Sequence, residues 1–123
     1  MIQRGGRTIL CIGNDLVRLN LRCSLLKEYG WNVLSSGSGY EGVIRFGQET
    51  VDAVVLDLNH DGAESALIAA ELKRQRPDLL VVMVVTDKNV LVPGSTEQAD
   101  ATVLKSEESK VLQETLRNLL RSR

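Results

Sequence analysis

Two cysteines and a single histidine in 123 residues leave little material for metal or redox chemistry. Cys11 falls in an apolar, strand-like run and Cys23 on an apolar helix face, so both read as small buried hydrophobes, not as a disulfide or a metal pair. His60 stands alone in a loop, where a histidine is usually just solvated, and a zinc site is not expected. Long hydrophobic runs are also missing. Leu79 to Val85 is far too short to cross a bilayer. The chain opens Met-Ile-Gln-Arg-Gly-Gly-Arg with no apolar segment of secretory type behind it, so a cytoplasmic location is expected. Charge of one sign does not dominate either: 15 basic against 16 acidic residues give a net charge of −1. That balance supplies no electrostatic footprint for nucleic acid or an anionic membrane, and Arg4-Gly5-Gly6-Arg7 is one short basic stretch. No glycine-rich or Ser/Thr-rich phosphate loop follows the first strand-like run, so a flavin or nucleotide enzyme is unsupported.

What is present is a globular composition, 43% hydrophobic and 25% charged, at the length of one domain. A single domain over residues 1–123 is expected, with 1–6 as a flexible N-terminal tail. Strand-like and helix-like segments alternate along it. Thr8 to Ile12 is apolar and stops at Gly13-Asn14-Asp15, where Asp15 can cap a helix. Leu16, Leu19, Cys23 and Leu26 then recur at spacings of three and four, which predicts one buried stripe, and Gly30 suits the helix end. Asn32 to Ser35 reads as a second strand. Ser38-Gly39-Tyr40-Glu41 has the form of a capping box before a short helix. Val51 to Leu56 is almost continuously apolar, as a strand covered on both faces should be. Glu64 to Arg76 reads as a helix with Leu67, Ile68 and Leu72 inward. Leu79 to Val85 and Ala101 to Leu104 read as strands, and Ser106 as the cap of a final helix through Leu119.

Five strands alternating with helices predict a three-layer, doubly wound α/β fold of flavodoxin-like type around a parallel sheet. Pro93-Gly94 falls where the fourth helix belongs and makes it short or missing. In such sheets the functional crevice lies beyond the carboxyl ends of the strands. That rule selects Gly13, Asn14, Asp15, Asp57, Thr86 and Lys105. One competing motif, Asp57-Leu58-Asn59-His60-Asp61-Gly62, matches the opening of a calcium loop. It fails because Ile68 stands where a bidentate Glu is required and a strand precedes it.

From Thr8 to Leu120 the chain resembles the response-regulator receiver domains of two-component signalling. The resemblance rests on Val54-Val55-Leu56-Asp57-Leu58-Asn59, on Thr86 after an apolar strand, and on Ala101-Thr102-Val103-Leu104-Lys105. It implies that Asp57 is a phosphoacceptor, attacking the phosphorus of a phosphohistidine partner to form an acyl phosphate. It further implies that Lys105 and Thr86 contact phosphoryl oxygens and that Mg²⁺ neutralises charge. Asp57, Asn59, Asn14 and Asp15 would be the metal ligands. The implied partners are a sensor histidine kinase or phosphotransfer protein and a protein target, with homodimerisation open. Enzymatic activity would be limited to self-phosphorylation and slow self-dephosphorylation at Asp57.

Departures from the family pattern push against the metal and the relay. The usual acidic pair after the first strand is Gly13-Asn14, which removes charge from the Mg²⁺ seat. Asp15 could approach, although helix capping is the plainer role. Asp87 adds a negative charge beside the pocket, Thr102 replaces the aromatic three residues before the lysine, and Asp61 replaces a proline. Two readings follow. One is a phosphorelay receiver modified on Asp57. The other is a phosphorylation-independent pseudo-receiver, a constitutive protein-interaction module.

Overall fold

A computed structural model describes residues 6–58, 62–87 and 91–121. Its elements follow the order β1 (Thr8–Gly13), α1 (Leu16–Glu28), β2 (Asn32–Ser36), α2 (Gly39–Gln48), β3 (Ala53–Asp57), α3 (Ala63–Gln75), β4 (Leu80–Val85), β5 (Ala101–Leu104), a 3₁₀ turn (Lys105–Glu107) and α4 (Glu108–Arg121). The five strands form one sheet in the order β2-β1-β3-β4-β5, and every pairing is parallel. Because β1, β3 and β4 have neighbours on both sides and helices on both faces, their runs must be apolar throughout. Every residue of β3 and β4 is buried.

Strand alternation splits the core into two layers. Ile9, Cys11, Val55, Val82 and Val84 face α1 and α4, meeting Leu19, Leu26, Leu112 and Leu116. Leu10, Ile12, Val54, Leu56 and Met83 face the opposite side with Phe46, Ala69 and Leu72. Cys11 and Cys23 are free thiols buried in the first layer, as their apolar surroundings imply.

Local signals set most boundaries. Asp15 accepts from the Arg18 amide at 3.2 Å and caps α1. Gly30 follows its end with φ 99°, open to a residue without Cβ. Ser38 accepts from the Glu41 amide at 3.1 Å, while Glu41 reaches back to the Gly37 amide at 3.4 Å. Between β4 and β5 the described residues form turns closed by Ser95 N–H to Val92 C=O (2.9 Å) and Ala99 N–H to Thr96 C=O (3.0 Å), with no helix among them. Pro93 cannot donate to an α-helical ladder and Gly94 sits at φ 80°, which accounts for turns in place of helix among these described residues.

Three sequence expectations are corrected. Leu16 is 60% exposed and not part of the buried stripe of α1, which consists of Leu19, Arg22, Cys23 and Leu26. Leu67 is 73% exposed, and Ala69 and Leu72 carry the inner face of α3 with Ser65. Leu16 keeps the spacing of the stripe but stands in the first turn of α1, whereas Leu67 falls between the inward Ser65 and Ala69. Ser106 is not a helix cap: it lies inside the 3₁₀ turn, whose preceding residue is Leu104, and α4 begins at Glu108.

Candidate functional site

Asp57 is the last residue of β3 and pairs in register with Gly13, the last residue of β1. Both therefore open onto the carboxyl edge of the sheet. The Asp57 side chain is nevertheless buried, at 4% exposure. A carboxylate so far from water needs cationic or hydrogen-bonding partners, and it has two. Lys105, in the turn after β5, places Nζ 3.1 Å from Oδ1. Arg22, at the middle of α1, places Nη2 2.8 Å from Oδ2.

Arg22 is the residue that sequence reasoning missed. Its side chain is 1% exposed. Besides Asp57 it holds Glu108, the first residue of α4, through Nε and through Nη2 at 3.0 Å. Burial disfavours the charged guanidinium, but the hydrogen bonds and charges of Glu108 and Asp57 outweigh it, and the Arg22 pKa is raised above its ordinary value. The cluster thus contains two cations, Arg22 and Lys105, and two anions, Asp57 and Glu108. It ties α1, β3, the turn after β5 and the start of α4 together. Arg18 adds a longer contact to Glu108 at 3.9 Å. The signal for Arg22 was present in the sequence, because a charged residue three after Leu19 and four before Leu26 lies on the buried stripe.

Gly13 lies against this cluster. A Cβ at that position would stand 3.2 Å from the Asp57 carbonyl oxygen and 3.5 Å from Arg22 Nη1. The remaining candidates also follow the carboxyl ends of strands. Asn14 is exposed on the bend before α1. Asp15 is engaged as the α1 cap. Thr86 lies exposed on the bend after β4. Asn59 lies outside the described residues, as do His60 and Asp61. The Leu58 amide donates to Ser65 Oγ at 3.2 Å and ties the end of β3 to α3.

The Mg²⁺ implied by the resemblance does not fit these residues. Gly13 offers no side chain, Asp15 is committed elsewhere, and each Asp57 oxygen already accepts from a cation. Among the described residues no group of three His, Cys, Asp or Glu is placed to hold a metal. A divalent ion about 4 Å from a guanidinium would meet a repulsion of roughly 8 kcal/mol at an effective dielectric of 20.

This fold is the one that response-regulator receiver domains have. The response regulator protein TrrA from Thermotoga maritima, in complex with Mg(2+)-BeF, superimposes with a TM-score of 0.83 at 23% identity, over 92% of this chain and 98% of its own. A CheY-like receiver domain protein from Methanospirillum hungatei matches with a TM-score of 0.84 at 19% identity, over 95% of each chain. A complex of the histidine kinase ThkA with TrrA contains a chain that matches with a TM-score of 0.81 at 24% identity, over 93% of this chain and 98% of that one. No protein-family model matches the sequence, and no curated protein does. No helix among the described residues is long and apolar enough to cross a membrane.

Proposed function

We propose that this chain is a receiver-type signalling module that acts through protein contacts, and that its Asp57 rests in a permanent ion-pair network, as in a pseudo-receiver. One observation carries the reading: the Asp57 carboxylate is buried and held by Arg22 at 2.8 Å and Lys105 at 3.1 Å. Pairing with two cations stabilises the carboxylate and lowers its nucleophilicity toward an approaching phosphorus. Contact with a partner is supported by α1, which leaves Leu16, Val17 and Leu21 exposed at 60%, 80% and 60%. The kinase complex formed by the structural neighbour makes a histidine kinase or phosphotransfer protein the natural class of partner.

Phosphotransfer to Asp57 is the second reading, favoured by the Lys105–Asp57 pair at the sheet edge. In it, Asp57 Oδ2 leaves Arg22 and attacks phosphorus, the donor departs with its electron pair, and Lys105 moves to the phosphoryl oxygens. Incubation with phosphoramidate or acetyl phosphate, with and without Mg²⁺ and beside an Asp57→Asn control, decides between them by intact-protein mass. The ion-paired module predicts no phosphoryl adduct. An adduct that is lost in Asp57→Asn establishes the phosphoacceptor.

A further inference from the structure

Arg22 has more donors than its carboxylates use. Nε and Nη2 meet Glu108 and Asp57, while Nη1 is buried without a hydrogen-bond partner. That atom lies 3.5 Å from the point where a Cβ on residue 13 would stand. Residue 13 is also the in-register neighbour of Asp57. The guanidinium therefore fills the space between the end of β1 and the Asp57 carboxylate, the space a cation bound by residues 13 and 57 would need.

We propose that Arg22 is the resident cation of the Asp57 pocket: its guanidinium neutralises Asp57 in place of a divalent metal and excludes one. The inference rests on the receiver-type reading only in taking a metal as the alternative occupant. Gly13 belongs to the same device. A carboxylate there would be drawn to the unpartnered Nη1, so restoring acidic residues alone does not rebuild a metal seat while Arg22 is present. Glu108 completes it by holding Nε, which stops the guanidinium from swinging out.

Paramagnetic Mn²⁺ tests this on the intact protein without any partner, so its outcome is independent of the phosphodonor experiment. In amide NMR spectra the wild type is expected to keep its Gly13, Asn14 and Leu58 signals in millimolar Mn²⁺, and so is the Gly13→Asp/Asn14→Asp variant. Adding Arg22→Ala to that pair is expected to produce selective broadening of residues 13, 14 and 58, which Mg²⁺ reverses by competition. Selective broadening in the wild type overturns the proposal. So does equal broadening with and without Arg22 in the acidic variants, or a folded triple variant that ignores the ion. Should the triple variant not fold, the wild-type Arg22 Nε–H signal carries the test. It is expected to exchange slowly and to be unmoved by Mg²⁺, and its shift or loss on adding Mg²⁺ overturns the proposal.

Discussion

Replacing Arg22 with Met removes the guanidinium and keeps most of the buried stem. The cost then comes from the charges left behind. Asp57, at 4% exposure, retains Lys105 at 3.1 Å, whereas Glu108, at 12%, keeps Arg18 alone among the described cations, at 3.9 Å. Breaking a buried pair by removing one partner costs about 3–5 kcal/mol. Since Lys105 remains and Glu108 can turn toward water, the lower end applies, about 3 kcal/mol. In a domain of this size that corresponds to a fall in Tm of roughly 10–15 °C. Urea unfolding followed by circular dichroism measures it, with Arg74→Met as the control. Arg74 forms a comparable bidentate pair with Glu71, at 3.0 and 2.7 Å, but on the surface, where such pairs contribute under about 1 kcal/mol. If Arg22→Met is no more destabilising than Arg74→Met, the pocket is not desolvated as described and the ion-pair account is wrong.

Two glycines on α2 should respond with opposite signs. A Cβ on Gly42 would stand 2.4 Å from Ile12 Cδ1, so Gly42→Ala gains about 1 kcal/mol of helix propensity but loses more to overpacking, a net destabilisation of about 1–2 kcal/mol. Gly47→Ala meets nothing within 4 Å and should stabilise by about 0.5–1 kcal/mol, and denaturant midpoints of the two variants moving in the same direction would contradict this. Leu116→Ala, at a fully buried position of α4, should cost about 2–5 kcal/mol by the same measurement, and a loss under about 1 kcal/mol would remove α4 from the core. Glu71, held by Arg74 and then Gln75, has its pKa lowered to about 2. Its folded pKa is depressed, so its small contribution is present above the unfolded carboxylate range and is lost as pH falls through about 2. A carbon-detected titration of Glu71 should find that midpoint, and one near the ordinary value of about 4.3 would show the pair absent in solution.

The fold was legible because its signals are local and redundant. Continuous apolar runs at 53–56 and 80–85 mark strands buried on both faces, and Asp15, Ser38 and Gly30 mark helix ends through their own backbone chemistry. The Lys105–Asp57 pair was legible too, since topology alone carries the ends of β3 and β5 to one sheet edge. Leu16 was misplaced because it keeps the stripe's spacing yet stands exposed in the first turn of α1, and Leu67 because only its neighbour Ile68 holds the four-residue spacing to Leu72. Arg22 was missed for a different reason. Arginine is normally read as solvent-facing, and nothing local reveals that Asp57 from β3 and Glu108 from α4 converge on it. The loss of side chain at Gly13 was visible as a defect of the metal seat, but only the packed structure shows a guanidinium beside it.

A crystal structure grown in Mg²⁺ and beryllofluoride addresses the central claim most directly. The account predicts Arg22 Nη2 still on Asp57 Oδ2, Glu108 still on Arg22, and no metal between residues 13 and 57. An octahedral ion coordinated by Asp57, with beryllofluoride on its carboxylate and Arg22 turned away, would contradict it.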